Sequence, residues 1–268
     1  RSGKSASKWT HSDLTSLDIS IESTDPPNYF PFPYPPPLDS LDPPVLNASV
    51  WIADPTQGPA TSVFLRRLRL SIGTRSEGTV DATTMQMATV LGFESTTGST
   101  VIARFPTPLL MCGEQRVAQT DVCVLSSDGA FLFLPIEDKT IYNKTPSSDV
   151  DAQVVAEAIA FFQFNNRSRI EKGKHPLATL NIPCVCMSGT MPTFYTVPVT
   201  EELSNIVATS PYAHPNSPVK VLKCDMAPTY SRWNKEQGMA DTGFRRVAME
   251  GLVAFKRLAD KCALEIAN

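Results

Sequence analysis

The sequence predicts an α/β (α+β) fold, a mixed central sheet flanked by helices, and three observations carry that expectation. Apolar residues recur at helical spacing early in the chain, in its middle and at its C-terminal end. Short apolar runs rich in β-branched and aromatic residues lie between these stretches, bounded by Gly, Ser and Asp turn chemistry. The resulting order (helices, a strand meander, one helix, further strands, a closing helix) suits one sheet sandwiched by helices.

Residues 1–58 concentrate proline, with Pro35, Pro36 and Pro37 consecutive and Tyr29, Phe30, Phe32 and Tyr34 interleaved. Such a stretch predicts an extended arm, prone to polyproline geometry, whose aromatics pack it onto the domain at 59–268. From Ala60 to Ser71, Val63, Phe64 and Leu68 share a helical face with Arg66, Arg67 and Arg69 between them. A second helix is predicted at 80–91. Strands follow at 100–104, 109–112, 117–125 and 130–138, the last two joined by Ser126-Ser127-Asp128-Gly129 as a hairpin. Residues 148–165 read as a strong helix. Strands at 182–187 and 193–199 flank Ser188-Gly189-Thr190, and a short helix (200–208), a strand (219–223) and a long helix (241–266) complete the order.

The chain has 268 residues, 42% of them hydrophobic, which is enough for one substantial core. Its net charge of −3 argues against a high-affinity, non-specific DNA binder, although the local arginines can still contact phosphate. No apolar run reaches the ~18 residues a membrane span needs, and no membrane partner is expected. Six dispersed cysteines form no disulfide framework, so an intracellular setting, cytoplasmic or nuclear, is expected. Cys184-x-Cys186 has no second close pair and is poor zinc spacing; His11, His175 and His214 lack a nucleophile motif.

The chemistry concentrates between Val117 and Phe164. In Phe131-Leu132-Phe133-Leu134-Pro135-Ile136-Glu137-Asp138-Lys139 both faces are apolar until the last three residues, as in a central buried strand. Glu137 and Lys139 are two apart and so share a face at the strand's end. The neighbouring strand carries Asp121 in an otherwise buried run. Burying a carboxylate costs several kcal/mol unless a cation or hydrogen bonds compensate. Two such acids on paired strands therefore call for a hard cation, Mg²⁺ or Mn²⁺, with the backbone carbonyl of Asp138 as a third oxygen ligand. Lys139 would orient the attacking water and offset charge at phosphorus. A simple turn sets Asp121 opposite Leu134 or Pro135, so a bulge at Pro135 is required for the two carboxylates to meet.

Asp121, fifteen intervening residues and then Glu137-Asp138-Lys139 resemble the signature of the PD-(D/E)XK phosphodiesterase superfamily. The chain is also similar to a fungal branch, from mushroom-forming species, sharing the proline-aromatic arm, Gln119-Thr120-Asp121 and Glu137-Asp138-Lys139. The resemblance implies a restriction-endonuclease-like core over about 80–190, running helix, three-stranded meander, helix, strand. It implies Asp121 and Glu137 as metal ligands, Lys139 as catalytic lysine and Gln153 as the glutamine that several branches add. A further acid on the first helix, used by some branches, has three candidates in Glu77, Asp81 and Glu94. Thr120 stands where the family's proline often precedes the aspartate. The expected activity is metal-dependent hydrolysis of DNA or RNA. The alternative is a catalytically inactive module of the same fold that engages a protein partner through the arm or the terminal helix.

Overall fold

The computed structural model describes residues 2–52, 54, 56–74, 76–94, 98–126, 131–139, 141–142, 144–209, 213–232 and 234–268, with 131–139 described in their backbone only. The turn residues 127–130 therefore lie outside the described residues. Mixed α/β architecture is observed. The elements in chain order are α1 (His11–Ser16), β1 (Ile19–Ser23), α2 (Pro26–Tyr29), α3 (Pro43–Asn47), α4 (Pro59–Ser71), α5 (Glu77–Val90), β2 (Ser99–Met111), β3 (Glu114–Ser126) and β4 (Phe131–Lys139). Then come α6 (Ser147–Glu171), β5 (Thr179–Ser188), β6 (Met191–Thr200), α7 (Glu201–Thr209), β7 (Val219–Asp225) and α8 (Thr242–Ala267).

The strands form one seven-stranded sheet in the order β1-β7-β6-β5-β4-β3-β2. Pairing is antiparallel along β2-β3-β4 and β5-β6-β7, and parallel at β4-β5 and β1-β7. A parallel join needs a crossover, and α6 supplies it between β4 and β5. The two segments predicted at 100–104 and 109–112 are one strand that runs through Pro106 and Pro108. Because β2 is the sheet's edge, two prolines spaced by two remove donors only on its open side. It turns into β3 through Cys112 and Gly113, both with positive φ, as a two-residue hairpin loop requires. Their backbone N–H groups donate to Val207 and Ala208 of α7, which holds Cys112 in a conformation costly for a side chain.

Adjacent residues of β6 place the two main helices. The Tyr195 hydroxyl reaches Asp151 of α6, while Phe194 stacks on Phe255 of α8 with ring centroids 5.1 Å apart. Successive strand residues point to opposite faces, so α6 and α8 sandwich the sheet. α5 packs beside β2, β3 and β4. In α6, Val154, Val155, Ala156, Ala158, Ile159 and Ala160 are all fully buried, so the helix is apolar around its circumference. Such a helix needs covering on its outer side as well.

That need explains where the N-terminal segment departs from the extended arm expected. Its first turn and α1 pack on α6, burying Ala6, Trp9, Leu14 and Leu17. β1 then extends the sheet beside β7, and Tyr29 and Phe30 reach the other face, where both rings meet Phe194. The segment is thus short helices plus an edge strand, wrapped around one edge of the sheet. At ~1.5–3 kcal/mol per fully buried large apolar side chain, its aromatics account for firm docking.

Arg245 of α8 ties this segment down. Fully buried, its guanidinium donates to the carbonyls of Val45 and Ala48 near α3 and of Met239 before α8. Charged donors to carbonyls contribute about 1.5–3 kcal/mol each, and three orphaned carbonyls cost more. Arg245→Leu is expected to lower the unfolding free energy by roughly 3–5 kcal/mol in urea denaturation. A loss under about 1 kcal/mol contradicts this tether.

Candidate functional site

The central geometry is a shift in the β3-β4 ladder. Leu125 pairs with Phe131 and Val124 with Phe133, but Val122 pairs with Ile136, with irregularities at both steps. β4 therefore carries two extra residues, one between Phe131 and Phe133 and one between Phe133 and Ile136, where Pro135 lies. Pro135 has no N–H to give the ladder, and a bulge is where a central strand tolerates one. Carried one residue past the Val122–Ile136 pair, this register sets position 121 opposite position 137. Without it Asp121 would stand opposite Pro135 or Leu134.

The same register sets a lateral row across the sheet. Ala103 and Phe105 pair with Val122 and Thr120, which puts Arg104 beside Asp121. Glu137 pairs with Cys186 and Lys139 with Ser188 across the parallel ladder, and Asp138 between them pairs with Met187. Cys186 pairs with Thr193, and Thr193 with Asp225. The paired row thus reads Glu137, Cys186, Thr193, Asp225, with Asp121 next in line where the β3-β4 register is continued.

Asp121 is half-buried on β3. The side chains of Glu137, Asp138 and Lys139 lie outside the described residues; their strand positions are those above. Gln153 stands two turns into α6, half-buried, and donates through Nε2 to Glu157 Oε1 at 3.0 Å. Of the three first-helix candidates, Glu77 and Glu94 are exposed and Asp81 is buried. Asp81 Oδ2 lies 3.5 Å from Arg104 Nη2, which ties α5 to the β2 residue between the partners of Thr120 and Val122. Asp81 Oδ1 is buried with no hydrogen-bond partner among the described residues. Burial pushes this carboxyl above its usual range, and Arg104 pulls it part of the way back.

A cavity of about 240 Å³ opens beside the row, between the start of α6 and the strands β5, β6 and β7. Cys186 and Ser188, the partners of Glu137 and Lys139, form part of its wall, with Asp151, Tyr195, Lys223 and Asp225 around it. Asp151 Oδ1 accepts from both the Tyr195 hydroxyl and the Lys223 ammonium at 2.8 Å. Lys223 also lies over the Tyr195 ring, 5.5 Å from its centroid. Burial drives the Tyr195 hydroxyl well above the usual phenol range, so it remains a donor at any physiological pH.

This charged cluster went unread in the sequence. Its one signal is Asp151, a lone acid entering a helix that is otherwise apolar on that side. Lys223 and Asp225 look like the polar positions of any alternating strand. Among the described residues no three His, Cys, Asp or Glu side chains group as metal ligands, but this leaves out Glu137 and Asp138. Besides the Cys186 thiol, the row offers the oxygens of Asp121, Glu137, Thr193 and Asp225, the chemistry a hard divalent ion selects. No family model matches the chain, and no curated protein is similar to it at a significant level.

Asp81 gives a test with a definite sign. A carboxyl whose folded pKa is raised costs stability above that pKa, and the cost vanishes below its unfolded value of ~3.9. Asp81→Asn is therefore expected to be more stable than wild type near neutral pH, with the gain fading as pH falls below about 4. Chemical denaturation at both pH values measures this. A variant less stable than wild type at neutral pH without divalent ions contradicts the assignment.

Proposed function

We propose that the protein is a divalent-metal-dependent nuclease that hydrolyses phosphodiester bonds of DNA or RNA on a restriction-endonuclease-like core. The observation that carries the reading is the shifted β3-β4 register, which aligns Asp121 with Glu137. The element order from α5 through β2-β3-β4 and α6 to β5, with β4 and β5 parallel, supports it further.

In this reading Asp121, Glu137 and the Asp138 carbonyl hold Mg²⁺ or Mn²⁺, and Asp81 offers a further oxygen. The buried Asp81 Oδ1, which has no hydrogen-bond partner among the described residues, fits such an ion, because a cation relieves the cost of its burial. When bound, the ion supplies Lewis-acid polarisation of the phosphoryl oxygens. Lys139, two residues past Glu137, supplies an ammonium to hydrogen-bond a water and to offset charge as it develops on phosphate. Gln153 restrains Glu157 and presents a polar group from α6. Lys223 and Tyr195, fixed on Asp151, line the space where a flanking phosphate or sugar fits.

Incubation with single- and double-stranded DNA and RNA in Mg²⁺ or Mn²⁺ tests the reading. Wild type is expected to cleave at least one of these polymers and to stop on chelation. Asp121→Asn, Glu137→Ala and Lys139→Ala are each expected to lose about 10²–10³-fold in rate, the scale of removing one charge-stabilising group. Equal products from wild type and all three variants remove the enzyme reading.

A further inference from the structure

We infer that the surface between α3 and α4 binds a single-stranded stretch of nucleic acid, one base stacking at Trp51 while Arg66 and Arg69 take the flanking phosphates. Trp51 and Ile52 stand side by side, 58% and 71% exposed, on a chain whose Trp9 is 2% exposed. They border a groove of about 340 Å³ with Leu65, Arg66 and Arg69 of α4. The Arg69 guanidinium lies over the Trp51 ring, 5.2 Å from its centroid, so ring and cation form one platform.

Charge complementarity selects the occupant. Among the described residues neither Arg66 nor Arg69 is within ion-pair distance of a carboxylate. The acid in the groove, Asp54, is committed to Thr56, accepting from its backbone N–H at 2.9 Å and its hydroxyl at 2.6 Å. The groove therefore offers two cations with no carboxylate within ion-pair distance among the described residues, one of them over an exposed aromatic ring. An unstacked nucleotide satisfies both, through its phosphate and its flat base. A purely acidic chain such as polyglutamate supplies anions but no planar group, and a duplex keeps its bases stacked inside. The mount is rigid, since Arg67 on the same helix donates to the Ala82 carbonyl at 2.9 Å and fixes α4 to α5. The inference needs binding but not cleavage, so it and the nuclease reading can fail separately.

The test is fluorescence anisotropy of a labelled oligothymidylate with the full chain in EDTA. Wild type is expected to bind, Trp51→Phe to bind nearly as well, and Trp51→Ala to bind roughly tenfold more weakly. The double variant Arg66→Ala/Arg69→Ala is expected to flatten the log–log salt dependence by about 0.7 per arginine. Glu137→Ala is expected to bind as wild type, which separates this surface from the proposed catalytic row. All substituted groove side chains are exposed, and unchanged circular dichroism confirms intact folding. No binding by wild type, full binding by Trp51→Ala, or equal binding of duplex or polyglutamate overturns the inference.

Discussion

A proline in the middle of a central strand is the constraint on which the candidate site depends. β4 lies between β3 and β5 and has ladder partners on both sides, so each backbone N–H it fails to place costs free energy. Pro135 cannot supply one. The chain meets this by letting β4 run ahead of β3 by one residue between Phe133 and Ile136, after a first one-residue step between Phe131 and Phe133. A shift by an odd number of residues would turn the strand over and exchange its faces. The two one-residue steps add to a net shift of two, and the register carried one residue further sets position 137 opposite Asp121. The site geometry is thus set by two neighbouring irregularities in one ladder.

The second requirement is cover for α6. A crossover helix in an open sheet normally shows one apolar face, yet this one is buried on nearly every side. The segment before α4 meets the demand by wrapping from α6, around the β1 edge, to the opposite face at Phe194. Arg245 then fastens it from α8. This makes the N-terminal part integral to the fold: removing it would bare α6 and the edge of β7 together. None of the six cysteines is in a disulfide, so none of this rests on covalent links.

Much of this architecture was legible in the residues. The helices at 60–71 and 241–266 and the strands around 117–125 and 182–187 follow apolar periodicity, which packing reinforces. The bulge at Pro135 was legible too, because a proline in a buried run admits few other solutions. Less legible was the N-terminal segment, where proline density suggested an extended arm; Pro26 and Pro43 instead open short helices, where a missing N–H costs nothing. Pro106 and Pro108 misled in the same way, since whether a strand is an edge depends on the whole sheet. The Asp151, Tyr195 and Lys223 cluster joins a helix and two distant strands, and only tertiary pairing brings those three together. Asp81 stood among three acids that nothing local distinguished, and burial singles it out.

The alignment of Asp121 with Glu137 is tested most directly by the anomalous difference map of a crystal grown with Mn²⁺. The account predicts one strong peak bridging the carboxylates of Asp121 and Glu137, at oxygen distances of about 2.1–2.2 Å for a hard divalent ion. Val122 paired with a residue other than Ile136, or no peak between two carboxylates that turn to opposite faces, would contradict it.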